Sequence, residues 1–184
     1  RGNPLWSPWG GLGGLSLWLE SRRRLFRDLR RKRQFLIVRR FSMDPAGRDV
    51  IRVSSIEGVP YPRASFSLYT RVGNLLFLSG QTPLDPETRE IPKTFSEQAH
   101  LVLRNIKKIL ASAGGSLDHV LKTTVYLKSR SYHKEYDEIY RSYFPKGYPA
   151  RATVVAEMMH EDFLIEIEAI AWVPEASSPK KGET

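Results

Sequence analysis

Two glutamates, Glu166 and Glu168, stand one residue apart in the otherwise apolar stretch LIEIEAIAW. Read as a strand, this stretch alternates, so both carboxylates fall on one face. An isolated carboxylate is costly to bury. That face must therefore meet water, a neighbouring subunit or a substrate. Other chemistries have fewer candidates. The chain contains no Cys, which excludes a disulfide framework, a thiolate nucleophile and Cys-ligated zinc. Its four histidines, His100, His119, His133 and His160, lack the spacing of metal ligands, so no metal site is expected.

Charge marks a second chemistry. The net charge of +9 lies within residues 1–48, which carry twelve Lys and Arg against three acids, while residues 49–184 carry seventeen of each sign. Such asymmetry indicates a basic arm with an anionic partner, or a targeting segment. The arm begins RGNPLWSPWGGLGGLSLWL, which is too interrupted by Pro and Gly to span a membrane as a helix. ESRRRLFRDLRRKRQFLIVRRF follows, and Trp18 just before it with Leu25, Phe26 and Leu29 would line one side of an expected helix, supported by the pairs Glu20–Arg24 and Asp28–Lys32.

Three readings of the arm stand. Arg-rich, acid-poor sequence is similar to a mitochondrial transit peptide, with a processing site in Arg39-Arg40-Phe41-Ser42. Alternatively the arm is retained and binds RNA phosphates, ribosomal RNA in a mitochondrial ribosome being the natural partner. The contacts would be Arg22, Arg23, Arg24, Arg27, Arg30, Arg31, Lys32, Arg33, Arg39 and Arg40. The least favoured reading lays the arm on an anionic membrane surface.

These groups need a scaffold, and the pattern from residue 49 supplies one. SFSLYTRV and LLFLSG flank Gly73-Asn74, a β-hairpin with room for a third short strand nearby. Thr94-Phe-Ser-Glu97 fits a capping box, and Ala99, Val102, Leu103, Ile106, Ile109, Leu110 and Ala113 follow at helical spacing until Gly114-Gly115. VLKTTVYLK alternates with Leu121, Thr123, Val125 and Leu127 on one face. Tyr132, Tyr136, Ile139, Tyr140, Tyr143 and Phe144 predict a second helix, ended by Pro145. ATVVAEM and FLIEIEAIAWV are two further strands. The opposite sheet face carries Thr124, Glu166 and Glu168, and oligomerisation is the simplest way to cover it. The expected organisation is an arm at 1–48, a domain at 49–174 and a polar tail at 175–184.

RVGNLLFLSGQTPLDPETREI, NIKKILASAGGSLDHVLKTTVYL and YPARATVV with LIEIEAIAW resemble the RidA (YjgF) family of imine deaminases over residues 60–173. The most specific part is Pro149-Ala150-Arg151 with Glu166 fifteen positions after the Arg, supported by Ser79-Gly80-Gln81. The resemblance implies a mixed α/β (α+β), chorismate-mutase-like fold with two helices on one face of a mixed sheet. It also implies a homotrimer whose sheets form a barrel, with ligand clefts between subunits. Known members hydrolyse 2-aminoacrylate and related enamines or imines to 2-keto acids and ammonia. Some members have been described as ribonucleases.

By the same resemblance Arg151 grips the substrate carboxylate, a task for a planar two-pronged donor that Lys does not reproduce. Glu166 orients or deprotonates water. Ser79 and Gly80 lie beside the ligand. Glu168 is read as a polar residue of the barrel. Three substrate-side positions depart from the family pattern. Phe66 stands where Tyr is common and removes a hydroxyl. Asp137 replaces Asn and adds a charge that opposes an anionic substrate. Thr153 replaces Cys or Ser, a mild change. The competing functions are thus a trimeric mitochondrial deaminase for small imino acids that needs no cofactor, a structural RNA-bound subunit, and a ribonuclease. The last ranks lowest, for want of a His pair or metal cluster.

Overall fold

The computed structural model describes the backbone of residues 37–43 and 49–174, and the side chains of residues 50–174. Its strands are β1 (Ile37–Met43), β2 (Asp49–Ser55), β3 (Tyr69–Val72), β4 (Leu75–Gln81), β5 (Val120–Leu127), β6 (Ala150–Val155) and β7 (Ile165–Trp172). They form one sheet in the order β1-β2-β3-β4-β7-β5-β6. Among the described residues β5 and β6 run parallel and the other neighbours antiparallel. Helices α1 (Phe95–Ser112) and α2 (His133–Tyr143) complete a mixed α/β fold, the class expected. The parallel pair is joined through α2, the crossover such a pair requires. No helix among the described residues is long and apolar enough to cross a membrane.

Alternation decides which sheet face the helices cover. Ile165, Ile167, Ala169 and Ala171 of β7 are buried, beside Leu76 and Leu78 of β4 and Val125 and Leu127 of β5. On α1 the buried stripe Ala99, Val102, Leu103, Ile106, Ile109 and Leu110 packs into the same core. Each fully buried Leu or Ile contributes about 1.5–3 kcal/mol relative to exposure. The capping box forms as the spacing predicts. Thr94 Oγ1 accepts from the Glu97 N–H at 3.3 Å, and the Glu97 carboxylate accepts from the Thr94 N–H at 3.2 Å. At the other end the Gly114 N–H donates to Ala111 O at 3.1 Å and the Gly115 N–H to Leu110 O at 2.8 Å, with Gly114 at φ 85°. This is the glycine stop that satisfies the last carbonyls of a helix.

Buried polar side chains then fix the strand ends. Gln98 on α1 donates to Pro92 O and Asp162 O, both at 2.8 Å, and accepts from the Leu164 N–H at 2.8 Å. The entry to β7 is thereby tied to α1, two residues before Glu166. Arg71 gathers three carbonyls, Gly73 O at 2.7 Å, Val173 O at 3.0 Å and Ala113 O at 3.4 Å. The β3–β4 turn, the end of β7 and the end of α1 are held at one point.

Some expectations need adjustment. Leu121 is not inward but 50% exposed, and Val120 takes the inward place. The register of β5 on β7 slips between Val120 and Lys122, so a bulge breaks the alternation there. Tyr132 belongs to a short 3₁₀ turn, Arg130–Tyr132, and precedes α2. β2 and β1 add two strands ahead of the hairpin that the sequence pattern does not predict, and the third short strand it allows between the hairpin and the first helix is absent: β4 leads directly to α1 among the described residues. β1 lies inside the segment read as the arm and contains Arg39 and Arg40. The helix expected around Leu25 and the residues from Arg22 to Arg33, as well as the tail 175–184, lie outside the described residues.

Candidate active site

One group of candidate residues gathers where β4 meets β7. The β4–β7 register slips between Leu78 and Gln81, leaving Ser79 and Gly80 in a bulge. Ser79 Oγ donates to Ser67 O at 2.7 Å, which ties the bulge to the loop carrying the 47%-exposed Phe66. Buried Gln81 closes the bulge by donating from Nε2 to Ser79 O at 2.9 Å. Across the bulge lies Glu166. A Cβ built on Gly80 would sit 1.8 Å from Glu166 Oε1 and 2.8 Å from its Cδ. Only glycine leaves room for the carboxylate. Burial pushes the Glu166 carboxyl above the ordinary range, and the charge of Glu168 adds to the shift. Tyr126 of β5 stands opposite Glu166, and its phenol is raised by burial and by both glutamates.

The second group sits on β6 and α2. Arg151 pairs in register with Thr123 and Thr153 with Val125, and those β5 residues face the helices. The Arg151 guanidinium carbon lies 4.8 Å from the Tyr140 ring centroid and 5.5 Å from that of Tyr136. Such stacking holds a guanidinium in a defined plane. Tyr140 is itself oriented by a 3.0 Å hydrogen bond with Thr123. Arg151 Nη2 donates to Asp137 Oδ1 at 2.9 Å, and Arg141 Nη2 donates to Asp137 Oδ2 at 2.7 Å. Hydrogen bonds from Arg151 first, then Arg141, hold the Asp137 carboxyl below the usual range.

The sheet separates the two groups. Glu166, like Glu168, alternates with the buried residues of β7 and so points to the face without helices, while Arg151 and Thr153 share the helix side. Within one chain the guanidinium and the carboxylate do not meet. The two hollows flanking β6, one lined by Phe144, Lys146 and Tyr148, the other by Lys128, Val155 and His160, contain neither residue. Among the described residues no cluster of three or more His, Asp or Glu is placed to hold a metal.

Sequence reasoning does not assign Tyr136, Tyr140 and Arg141 to the site. The spacing of the two tyrosines marks only a helical core stripe. The i,i+4 spacing of Asp137 and Arg141 is the signal that could have found the last.

A profile of the family described as Endoribonuclease L-PSP matches residues 57–173. The chain belongs to this family, also called RidA/YjgF. Among RidA/YjgF relatives, a RutC family protein of Pyrococcus horikoshii is 45% identical over 117 residues, 63% of this chain and 93% of that one. The crystal structure of RidA from an Antarctic Psychrobacter superposes with a TM-score of 0.61 at 36% identity, covering 63% of this chain and 94% of its own. TdcF of Escherichia coli, named a reactive intermediate deaminase, is 37% identical over 103 residues, 54% of this chain and 80% of TdcF. A crystal structure of TdcF holds bound serine and superposes with a TM-score of 0.60 at 33% identity, covering 62% of this chain and 92% of that chain.

Proposed function

We propose that this chain is a deaminase of reactive imines, hydrolysing 2-aminoacrylate-like enamines and 2-imino acids to 2-keto acids and ammonia. Residues 49–174, with β1 of the arm paired at the sheet edge, form its catalytic domain, 1–48 a basic arm and 175–184 a polar tail. The observation that carries the reading is the Glu166 carboxylate, desolvated and seated on Gly80. A carboxylate whose affinity for protons is raised toward neutrality is suited to take and return one. The naming of the relative TdcF as a deaminase, and its crystal structure with bound serine, support the reaction class.

The reaction runs in two steps. Arg151 holds the substrate carboxylate. Glu166 takes a proton from water as the water oxygen bonds to the imine carbon, and the imine nitrogen gains a proton from solvent. The carbinolamine collapses as the protonated Glu166 carboxyl returns its proton to nitrogen. The C–N bond breaks, the hydroxyl proton passes to solvent, and ammonia leaves with the 2-keto acid. An enamine first takes a proton at carbon and releases one from nitrogen to solvent, which makes it the imine. Because the two groups lie on opposite sheet faces, the cleft forms between copies. The uncovered face supplies an apolar seam for a homotrimeric, chorismate-mutase-like barrel: Leu75, Phe77 and Trp172 are 38%, 45% and 46% exposed. The test generates imines in situ with an amino-acid oxidase and follows keto acid and ammonia release. The wild-type chain accelerates release, and Arg151→Ala abolishes this while leaving the oligomer intact. No acceleration with any imine ends the reading.

The charge of the arm favours a second reading, a RidA-fold subunit anchored to RNA in a mitochondrial ribosome with little catalysis. Its Arg-rich, acid-poor composition supports a mitochondrial setting in either case. This reading requires salt-sensitive RNA binding that disappears on deletion of residues 1–48.

A further inference from the structure

Arg151 does not stand open on its edge strand. Its guanidinium rests on Tyr140 and Tyr136, and Asp137 Oδ1 accepts from Nη2 at 2.9 Å. The side chains of Arg151 and Asp137 are 22% and 28% exposed, so this pair is shielded on most sides. The second oxygen of Asp137 is engaged by Arg141 at 2.7 Å, and Arg141 is 64% exposed. The three side chains sum to a single positive charge. A guanidinium carries five N–H donors. Asp137 uses one Nη2 hydrogen, so one complete two-pronged edge of Arg151 remains for one ligand carboxylate. A second carboxylate on the same ligand would meet the oxygens of Asp137, whose countercharge Arg141 is screened by water.

Resting on the deaminase reading of this site, we propose that Asp137 is a specificity-determining residue. It makes the anion site monovalent, accepting imino acids with an uncharged or basic side chain and rejecting those with a second carboxylate. Asp137 acts through Arg151. It orients the guanidinium, and its charge sets how many negative groups the site tolerates. Arg141 tempers that charge from the solvent side.

The test uses two unreactive ligands with the same open-chain 2-keto acid frame, the 5-methyl ester of 2-ketoglutarate with one carboxylate and 2-ketoglutarate with two. Their affinities for the full-length protein are measured by calorimetry at low salt. The wild type binds the ester at least about ten-fold more tightly, as expected for like charges within a few ångströms. Asp137→Asn keeps an acceptor for Nη2, removes the charge and brings the ratio to within about two-fold. Arg141→Ala, an exposed change, widens the ratio. Arg151→Ala loses both ligands. A wild-type ratio near one, a ratio unmoved in Asp137→Asn, or no binding of either ligand overturns the proposal. Imine hydrolysis by the wild type is measured alongside. A preserved binding ratio without hydrolysis sinks the deaminase reading alone; hydrolysis with a ratio of one sinks only the role of Asp137.

Discussion

At the scale of single residues, the ionisation of Glu166 links activity to stability. Its folded pKa is raised, by burial and then by Glu168. The folded chain therefore binds this proton more tightly than the unfolded one. Stability falls as pH rises from the unfolded Glu value of about 4.3 through the folded value. In its proposed role as general base the group works only when ionised. We predict that kcat/KM declines on the acid side at a pH above about 4.3, and that Glu168→Gln moves this limb to lower pH. We also expect Glu166→Gln to lose activity yet melt no lower than wild type at neutral pH. A limb that stays in place in Glu168→Gln removes the electrostatic link between the two glutamates.

At the scale of elements, the bulge in β4 builds the carboxylate site. Without the extra residue, the alternation that buries Leu76 and Leu78 would bury Gly80 in turn, and instead Gln81 takes the inward place. Gly80 is thereby left beneath Glu166. In Gly80→Ala the new methyl and the carboxylate cannot share that space. The clash is with the end of a flexible side chain, so the chain should fold. Displacing a catalytic group by about 1 Å costs on the order of 10²-fold in rate. The expected result is a near wild-type melting temperature with kcat/KM reduced about a hundred-fold. Loss of folding, or full activity, contradicts this account of the bulge.

At the scale of the whole molecule, the uncovered sheet face carries an apolar patch at one end and two glutamates at the other. Leu75 pairs with Trp172 and Phe77 with Ile170 across β4 and β7. Surfaces of this kind mark association. A charge placed in the seam, as in Phe77→Lys or Trp172→Glu, should convert the proposed trimer into monomers by sedimentation while the helical signal persists. Activity should disappear with the trimer, because a single chain keeps its guanidinium and carboxylate on opposite faces. A monomeric variant with full activity would overturn the inter-subunit cleft.

The sequence alone determined the periodic elements and their ends. The Thr94–Glu97 box, the Gly114-Gly115 stop and the alternation of IEIEAIAW are local, and each fixes a structure within a few residues. It also carried the spacing of Arg151 and Glu166, and with it the family. Tertiary structure decided the rest. The bulges at Leu121 and at Ser79–Gly80 depend on how one strand registers against another, which no single strand encodes. β2 escaped the sequence pattern because the short run DVIRVSS gives little periodicity until β3 lies beside it. That Asp137 would hold Arg151, rather than merely neighbour the substrate, required α2 to cross β6 at a particular height. The two stand fourteen positions apart in the chain, and they meet at 2.9 Å where Arg151 packs on the Tyr136 and Tyr140 rings.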